Sequence, residues 1–368
     1  MDHPGLSSCA GRRHRDGCVC ALKTPVSTWL ELLYLAHGMT RPLTIVSTGP
    51  FSADSIALFE QSAPGIRFHP FPKATPDEIP ADVLATADVY YAYGELPSRA
   101  AAPKLRWVQM HWAGVDSAIH DPLFASGEVI LTTGAGIHAV NVGEYTLMMM
   151  LALAHRLPMA FKMMQAGAWR DDRAAFMPME LRGATLGLIG YGQIGRAVAR
   201  LARAFGMRVI ALRKRIPTED ERHDEDVTFI RRDQLPMLLA QSDFVVVAAP
   251  LTPETRRLLD AGALGQMKPT AFLINVGRGA VVDEQALASA IAEGRIAGAA
   301  LDVFEQEPLP DDSPLWRLAA EYRVVLTPHI AGQTPHYEAR AAALFAENLR
   351  RFSRGQPLIN QVDFSQGY

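Results

Sequence analysis

A glycine-rich turn between an apolar run and a helix-like segment most constrains the fold of this chain. It reads Gly190-Tyr191-Gly192-Gln193-Ile194-Gly195, after the run Leu186–Ile189 and before the helical segment Arg196–Phe205. In such a unit the first glycine allows the tight turn, the second lets a pyrophosphate approach the backbone, and the third lets helix and strand pack closely. The helix N-terminus offers N–H groups and a positive dipole end to phosphates. The pattern predicts a dinucleotide-binding unit, with a purely structural turn as the alternative.

The residues after the next predicted strand, Arg208–Leu212, indicate which dinucleotide this unit prefers. An acidic residue at that point normally binds the hydroxyls of the adenosine ribose. This chain instead has Arg213, Lys214 and Arg215 there. Cations cannot accept a hydrogen bond from a ribose, but they hold a 2′-phosphate well. We therefore expect NADP as the preferred cofactor and NAD as a second one; the alternative is a solvated basic loop.

Short apolar runs alternate with helix-like segments along most of the chain, which is typical of βα units with parallel sheets. The predicted strands are Leu43–Val46, Ile66–Phe68, Val89–Ala92, Trp107–Met110 and Val129–Thr132, then Leu186–Ile189, Arg208–Leu212, Val227–Ile230, Phe244–Val247, Ala271–Asn275, Ala299–Val303 and Val324–Leu326. Helices are predicted over Asp54–Gln61, from near Val142 towards His155, and over Ala339–Arg354. The run Met148–Met150 is interpreted as core or helix-packing filler rather than as a ligand box, since methionine fits irregular gaps. The simplest architecture is α/β, with two doubly wound parallel-sheet domains.

Composition excludes several classes of partner. The chain has 368 residues, 49% of them hydrophobic, and a net charge of -3. This length suits two domains, and the near-neutral charge gives no field for nucleic acid or an anionic membrane surface. No apolar run approaches the roughly 20 residues that span a bilayer. Cys9, Cys18 and Cys20 all lie near the start, so the body of the chain holds no disulfide and a cytoplasmic location is expected.

Residues 1–38 differ from the rest of the chain. They contain the basic cluster Arg12-Arg13-His14-Arg15 and a short apolar stretch, Trp29–Leu35, interrupted by Glu31. This does not resemble a secretory signal, which needs an uncharged apolar core and a small-residue cleavage site. The cysteines have no second ligand pair at a zinc-like spacing, so no metal site is predicted. We expect a disordered extension, or an upstream start codon with Met39 as the true start.

Three further segments follow the glycine turn in order. They read Asn275-Val276-Gly277-Arg278-Gly279, Leu301-Asp302-Val303-Phe304-Glu305-Gln306-Glu307-Pro308 and Thr327-Pro328-His329-Ile330-Ala331-Gly332. Singly, Arg278, Glu307 and His329 have ordinary explanations as a surface cation, a loop acid and a core histidine. Together with the turn, the segments resemble the D-isomer-specific 2-hydroxyacid dehydrogenase family, in particular its glyoxylate/hydroxypyruvate reductases. The resemblance runs from near Leu43 to the C-terminus, and it includes a cofactor-side loop, Pro250–Thr255, and a dimer-arm motif, Gly167-Ala168-Trp169.

The resemblance implies a catalytic set of three residues for hydride transfer between NAD(P)H and a small 2-oxo or D-2-hydroxy acid. His329 would donate a proton to the carbonyl oxygen, or accept one from the hydroxyl in the reverse direction. Glu307 would bind the other ring nitrogen, which fixes the tautomer and favours the charged imidazole. Arg278 would pair with the substrate carboxylate and polarise the carbonyl. Since these groups supply the acid and the electrophile, no metal is expected.

The same resemblance assigns binding residues. Asp302 would hold the nicotinamide carboxamide, and Pro250 and Val276 would lie beside the cofactor. Backbone N–H groups of the loop Trp112-Ala113-Gly114 would bind the substrate carboxylate. Trp112 is bulkier than the usual residue, and it either shapes a pocket for a short or apolar side chain or packs between domains. Gly143-Glu144-Tyr145 and Gln333 also depart from the family pattern.

The family layout implies that a Rossmann nucleotide-binding domain is inserted into a discontinuous, flavodoxin-like substrate domain. The expected boundaries are residues 40–140 and 333–368 for the substrate domain and 141–332 for the dinucleotide domain. The long helix after Val142 and the arm around Trp169 would form a homodimer interface. Two alternatives stay open: a dehydrogenase for formate, phosphite or a phosphorylated hydroxy acid, and a non-catalytic, nucleotide-sensing corepressor-like scaffold.

Overall fold

The computed structural model describes residues 42–63, 65–115, 118–167, 169, 173–214 and 226–365. The predictions for residues 1–38, Ala168 and Arg215 therefore lie outside the described residues.

The N-terminal part of the chain builds a parallel sheet of short strands, which are largely buried except for one edge strand. The strands are β1 Thr44–Ser47, β2 Arg67–Pro70, β3 Val89–Ala92, β4 Trp107–Met110 and β5 Ile130–Thr132. Their order is β2-β1-β3-β4-β5, and all neighbours are parallel. This is the doubly wound order of flavodoxin-like domains. Helices α1 Ala53–Ser62 and α2 Ala81–Leu84 connect the first strands.

The second sheet has seven parallel strands. They are β6 Thr185–Ile189, β7 Arg208–Leu212, β8 Val227–Ile230, β9 Phe244–Val247, β10 Phe272–Asn275, β11 Gly298–Leu301 and β12 Val324–Leu326. The order is β12-β11-β10-β9-β6-β7-β8. The chain direction across the sheet reverses between β6 and β9, so a crevice forms beyond the carboxyl ends of these strands, where doubly wound sheets bind ligands.

The remaining helices cover the sheets and join them. They are α3 Ala139–Ala154, α4 Leu157–Gln165, α5 Gln193–Ala204, α6 Leu235–Gln241, α7 Ala261–Leu264, α8 Glu284–Ala292, α9 Pro314–Ala320 and α10 Tyr337–Ser353. Helices α3 and α5 cover one face of the seven-stranded sheet, and α6 to α9 cover the other. Helix α10 returns to the first sheet, where Phe345 and Leu349 pack with Phe59 of α1 in one core cluster. The two-domain α/β architecture expected from the sequence is confirmed.

Several element ends differ from the sequence prediction. Helix α3 begins at Ala139 rather than near Val142, and β11 ends at Leu301, before Val303. Asp302 therefore lies in the loop beyond the strand, where its side chain reaches other loops. In the methionine run, Met149 and Met150 are buried as core residues, whereas Met148 is 51% exposed on the surface of α3. In the described part of the chain no single helix has the length and apolarity to span a membrane, although α3 and α4 pass that test together as a bent pair.

Candidate active site

A cavity of about 1120 Å³ lies where loops of the two sheets meet. Its walls come from the loop after β4, from the start of α5, from the loops after β10, β11 and β12, and from the start of α10. Most of these segments follow the carboxyl ends of parallel strands, as ligand sites of doubly wound folds do. The cavity therefore brings together segments that are far apart in sequence.

The glycine turn has the geometry that a pyrophosphate requires. Gly190 has a φ of 99°, and a Cβ there would lie 2.7 Å from the backbone nitrogen of Ala249. A Cβ on Gly195 would lie 2.3 Å from the Gly190 oxygen, so the helix and the strand pack at van der Waals distance. By contrast, Gly192 faces open space, with nothing within 4 Å of a built Cβ, and it begins α5 without a side-chain cap. Gln193 and Ile194 form the first residues of this helix, so its N-terminal end is available to phosphates.

Cations stand together at the far end of this crevice. Leu212 and Ile230 are paired in register, so the next residues, Arg213 and Arg231, leave neighbouring strands side by side. The Arg213 N–H donates to the Ile230 oxygen at 3.1 Å. Arg231 and Arg232 are both exposed and were not predicted as site residues from the sequence. The feature that could have indicated them is a basic pair directly after the strand that neighbours β7 in this fold.

The loop after β9 contacts this basic cluster. The Nζ atom of Lys214 lies 3.1 Å from Oε2 of Glu254, and Arg232 donates to the backbone oxygen of Glu254 at 2.6 Å. The loop is closed on itself, since the Thr255 hydroxyl donates to the Pro250 oxygen at 2.7 Å. The segment Pro250–Thr255 thus lies against the basic residues that follow β7 and β8. Lys214 is already paired with a carboxylate, which leaves Arg213 as the stronger candidate for a phosphate contact.

The predicted dyad of His329 and Glu307 is formed. Nδ1 of His329 lies 2.8 Å from Oε2 of Glu307, and Oε1 of Glu307 accepts from the Phe304 N–H at 3.0 Å. The carboxylate places the ring proton on Nδ1, which leaves Nε2 as the nitrogen that Glu307 does not contact. The His329 side chain lines the cavity and is 53% exposed. Its φ of 52° is uncommon for a residue other than glycine, and such strain is characteristic of functional sites.

Asp302 holds the loop that carries His329. Its Oδ1 accepts from the Thr327 hydroxyl at 2.7 Å and from the Ile330 N–H at 2.9 Å. Its Oδ2 accepts from the Ala331 N–H at 2.9 Å, and its backbone oxygen accepts from the His329 N–H at 2.9 Å. The residue is almost wholly buried. Asp302 therefore holds residues on both sides of the histidine, a role that was not predicted from the sequence.

A tyrosine extends this network. The Thr327 hydroxyl donates to Asp302, so it must accept from the hydroxyl of Tyr145, with which it also forms a hydrogen bond. Burial raises the pKa of Tyr145 to about 12, and the charge of Asp302 adds to the effect. Tyr145 therefore stays protonated and serves as the donor. Tyr145, which departs from the family pattern, thus has a structural role as a hydrogen-bond donor in this network.

Arg278 lies in a tightly built segment. The Asn275 side chain holds the backbone of this segment at two points. Its Nδ2 donates to the Arg278 oxygen at 3.0 Å, and its Oδ1 accepts from the Gly277 N–H at 3.1 Å. A Cβ on Gly279 would lie 1.8 Å from the Phe304 carbonyl carbon, so only glycine fits. The close approach brings the Arg278 segment against the one that ends in Glu307. Arg278, Val276 and His329 line the same cavity.

The loop predicted to bind the substrate follows β4. Trp112, Ala113 and Gly114 all line the cavity, and the Trp112 oxygen accepts from the Gly134 N–H at 2.8 Å. His111 is buried below them, with Nδ1 2.8 Å from the Tyr91 hydroxyl. Burial lowers the pKa of His111 to about 4, so this histidine is neutral at physiological pH.

Two residues at the start of α3 clamp the loop after His329, and both were missed from the sequence. Nδ1 of His138 lies 3.1 Å from the Gly332 oxygen, and Nδ2 of Asn141 donates to the oxygens of Ala331 and Gln333 at 2.6 and 2.7 Å. Burial lowers the pKa of His138. The sequence feature that could have indicated these two residues is the presence of polar side chains at the start of an otherwise apolar helix. Among the described residues, no three His, Cys, Asp or Glu side chains cluster as a metal site would require.

Comparison with known proteins agrees with this architecture. The family model described as "D-isomer specific 2-hydroxyacid dehydrogenase, NAD binding domain" matches residues 147–331. A glyoxylate reductase of Korarchaeum cryptofilum is 39% identical over 269 residues, which are 71% of this chain and 78% of that protein.

Solved structures show the same likeness. A D-isomer specific 2-hydroxyacid dehydrogenase from Xanthobacter autotrophicus Py2, in complex with NADPH and MES, is 30% identical, with a TM-score of 0.74 over 89% of this chain and 100% of that one. An NADPH-dependent glyoxylate/hydroxypyruvate reductase from Sinorhizobium meliloti, in complex with NADP and sulfate, is 26% identical, with a TM-score of 0.74 over the same shares. The family model, the curated relative and the two sheets lead to one conclusion: the chain belongs to the D-isomer specific 2-hydroxyacid dehydrogenase family, whose members are oxidoreductases with an NAD(P)-binding domain.

Proposed function

We propose that this protein is an NADPH-preferring reductase of small 2-oxo acids that forms D-2-hydroxy acids. The proposal rests on one observation: Arg278 and His329 line the same cavity, and His329 is paired with Glu307. The start of α5 lines this cavity as well. A cation for a carboxylate and a proton donor thus stand beside the crevice for a dinucleotide. This is the arrangement that reduction of a 2-oxo acid requires.

The residues of the crevice fit a dinucleotide. The open space in front of Gly192 admits a pyrophosphate, the cations after β7 and β8 fit an adenosine 2′-phosphate, and Val276 and Ile194 line the cavity near the catalytic residues. The reduced nicotinamide, when bound, supplies the hydride. In this proposal residues 141–332 bind the cofactor, whereas residues 40–140 and 333–368 bind the substrate.

The side chains then divide the remaining chemistry. The Arg278 guanidinium pairs with the substrate carboxylate and polarises the carbonyl, aided by the backbone N–H groups of Ala113 and Gly114. Negative charge builds on the carbonyl oxygen as the hydride arrives, and Nε2 of His329 donates its proton to that oxygen. Glu307 stabilises the imidazolium before transfer. Asp302 keeps the histidine loop in place, and its Oδ2 has a further lone pair for the cofactor carboxamide.

A substrate panel tests the proposal. The purified protein is assayed with glyoxylate, hydroxypyruvate and longer 2-oxo acids in the presence of NADPH or NADH, and with formate and phosphite in the presence of NADP+ or NAD+. The absorbance of the reduced nicotinamide is followed in each assay. We expect turnover with 2-oxo acids and a higher kcat/KM with NADPH. Oxidation of formate or phosphite alone would replace the proposed reaction with another one of the family. Tight cofactor binding without any turnover would instead favour the scaffold hypothesis.

Glu307→Gln is expected to change the pH dependence of the reaction. Reduction needs a proton on Nε2 of His329, so the rate falls when the solution is too basic to supply it. The neutral amide of the variant no longer stabilises the imidazolium, so this fall begins at lower pH. The measurement is kcat/KM for the 2-oxo acid against pH, with Glu293→Gln, on an exposed helix end, as the matched control. An unshifted profile with full kcat would remove Glu307 from the dyad.

We also propose that two copies of the chain form a homodimer through α3, α4 and the segment after them. Large apolar side chains are exposed there, among them Met148, Phe161, Met164 and Trp169, the last 86% exposed. Exposed apolar surface of this kind marks an association site. We expect the parent protein to sediment as a dimer, and Phe161→Asp to shift the equilibrium towards monomer. A parent that sediments as a monomer at micromolar concentration would contradict this assignment.

A further inference from the structure

The residues that line the cavity fall into two groups of different chemistry. Loops of the seven-stranded sheet contribute the catalytic side chains and the apolar Val276. The other wall comes from the first sheet and the start of α10, and it is rich in aromatic rings. These rings are Phe51, Tyr93, Trp112 and Tyr337, and we name them the aromatic wall. Reduction of a 2-oxo acid does not by itself require such a wall.

Trp112 is the centre of the aromatic wall. Its ring centroid lies 5.0 Å from that of Tyr93 and 6.2 Å from that of Tyr337, and the buried His111 ring meets it edge-on at 4.6 Å. The hydroxyl of Tyr337 donates to the His111 oxygen at 2.8 Å, which fixes that ring. Even with these contacts, Trp112 is 41% exposed. The rings of the wall thus contact one another in the edge-to-face and tilted arrangements that aromatic pairs favour, and they still offer ring surface to a ligand.

Lys and Arg are rare among the described side chains that line the cavity. Arg278 is the one Lys or Arg among the described lining residues, and the proposed reaction uses it for the 2-oxo acid's own carboxylate. Burial lowers the pKa of His111 and of His138, so neither supplies a positive charge at neutral pH. Glu338 also lines the cavity.

The carboxylate of Glu338 is held in its charged form. Its Oε1 accepts from the Ser52 N–H at 2.6 Å and from the Ser55 hydroxyl at 2.8 Å. Hydrogen bonds from Ser52 lower the pKa of Glu338. A second anionic group on a substrate would thus meet a negative charge and, in the described lining, no further guanidinium or ammonium group.

We propose that the aromatic wall binds the side chain of a 2-oxo monocarboxylic acid bearing an aromatic or large apolar group, and that Glu338 disfavours side chains with a second negative charge. This inference rests on the proposed reductase function and narrows its substrate class. Within that class, a phenyl-bearing acid is favoured over pyruvate, and a phosphorylated hydroxy acid is disfavoured. Ring stacking supplies the first preference, and repulsion by Glu338 supplies the second.

The first test compares three probes in the parent enzyme with NADPH: pyruvate, phenylpyruvate and 3-phosphohydroxypyruvate. We expect kcat/KM for phenylpyruvate to exceed that for pyruvate by about tenfold or more, since burial of a ring against apolar side chains stabilises the bound state. We expect the phosphorylated probe to be the poorest of the three. A parent that prefers pyruvate or the phosphorylated acid would overturn the inference while it supports the proposed function. No turnover with any probe would instead overturn the proposed function itself.

Two variants test the residues. Trp112→Leu should lower the ratio of kcat/KM for phenylpyruvate to that for pyruvate by about tenfold, whereas the matched control Trp316→Leu, on the exposed face of α9, should keep the parent ratio. Glu338→Gln should raise kcat/KM for the phosphorylated probe relative to pyruvate by about tenfold. The Gln amide oxygen still accepts from Ser52 and Ser55, so this variant is expected to fold even if the tryptophan variant does not. Unchanged ratios in the folded variants would overturn the assignment of these side chains.

Discussion

His329→Gln is expected to lower kcat for 2-oxo acid reduction by about 10²–10⁴, the usual effect of losing a positioned general acid. The amide cannot donate a proton to the developing alkoxide. The fold should persist, because Gln, like His, is unbranched at Cβ and meets the same backbone conformation at φ 52°. Asp302 holds the loop through backbone groups, which the substitution leaves in place.

The measurement is kcat at saturating substrate and NADPH, together with the Kd for NADPH in the absence of substrate. The Kd should change little, since His329 faces the substrate side of the cavity in this account. His120→Gln is the matched control, because His120 is exposed and lies outside the cavity lining. A His329→Gln enzyme with the kcat of the parent would remove His329 from the chemistry.

Arg213→Asp is expected to remove the preference for NADPH and to favour NADH. In the parent, kcat/KM for NADPH should exceed that for NADH by roughly 10–10⁴-fold, because one or two charge-assisted hydrogen bonds to the 2′-phosphate contribute about 1.5–3 kcal/mol each. Solvent and salt should place the value in the lower half of that range. The variant replaces this attraction with repulsion of the phosphate, and it offers a carboxylate to the ribose hydroxyls.

The comparison uses kcat/KM for NADPH and NADH in the parent, in Arg213→Asp and in Arg354→Asp. Arg354 is an exposed cation at the end of α10, so its variant controls for net charge. A parent that uses both cofactors equally well would contradict the preference. A variant of Arg213 that still prefers NADPH would assign the phosphate to Arg231 and Arg232, which leave the neighbouring strand.

The parts of the fold that depend on local pattern were predictable from the sequence. The strand–turn–helix unit around Gly190–Gly195 and the alternation of apolar runs lead to two parallel sheets because each signal lies within a few residues. The end of β11 was harder to predict from the sequence. The apolar run continues through Val303, whereas the strand stops at Leu301 because the Asp302 side chain turns to the loop around His329.

The site was predictable as a set of motifs, but not as a network. Arg278, Glu307 and His329 followed from the resemblance, whereas the clamps on their loops did not. Asn141 reaches Ala331 and Gln333 across a sequence separation of about 190 residues, and nothing local indicates such a contact. The position of Arg213 next to the end of β8, from which Arg231 follows, likewise depends on which strand neighbours β7, and this is decided by the order of the sheet.

The most direct measurement of the central claim follows the transferred hydrogen itself. The protein is incubated with a 2-oxo acid and NADPH that carries deuterium in place of both hydrogens at C4 of the nicotinamide ring, and the product is analysed by mass spectrometry and chiral chromatography. The account predicts a D-2-hydroxy acid with one deuterium at C2, and loss of this product in His329→Gln. A product without deuterium, an L-configured product, or bound NADPH that is never oxidised by any 2-oxo acid would contradict it.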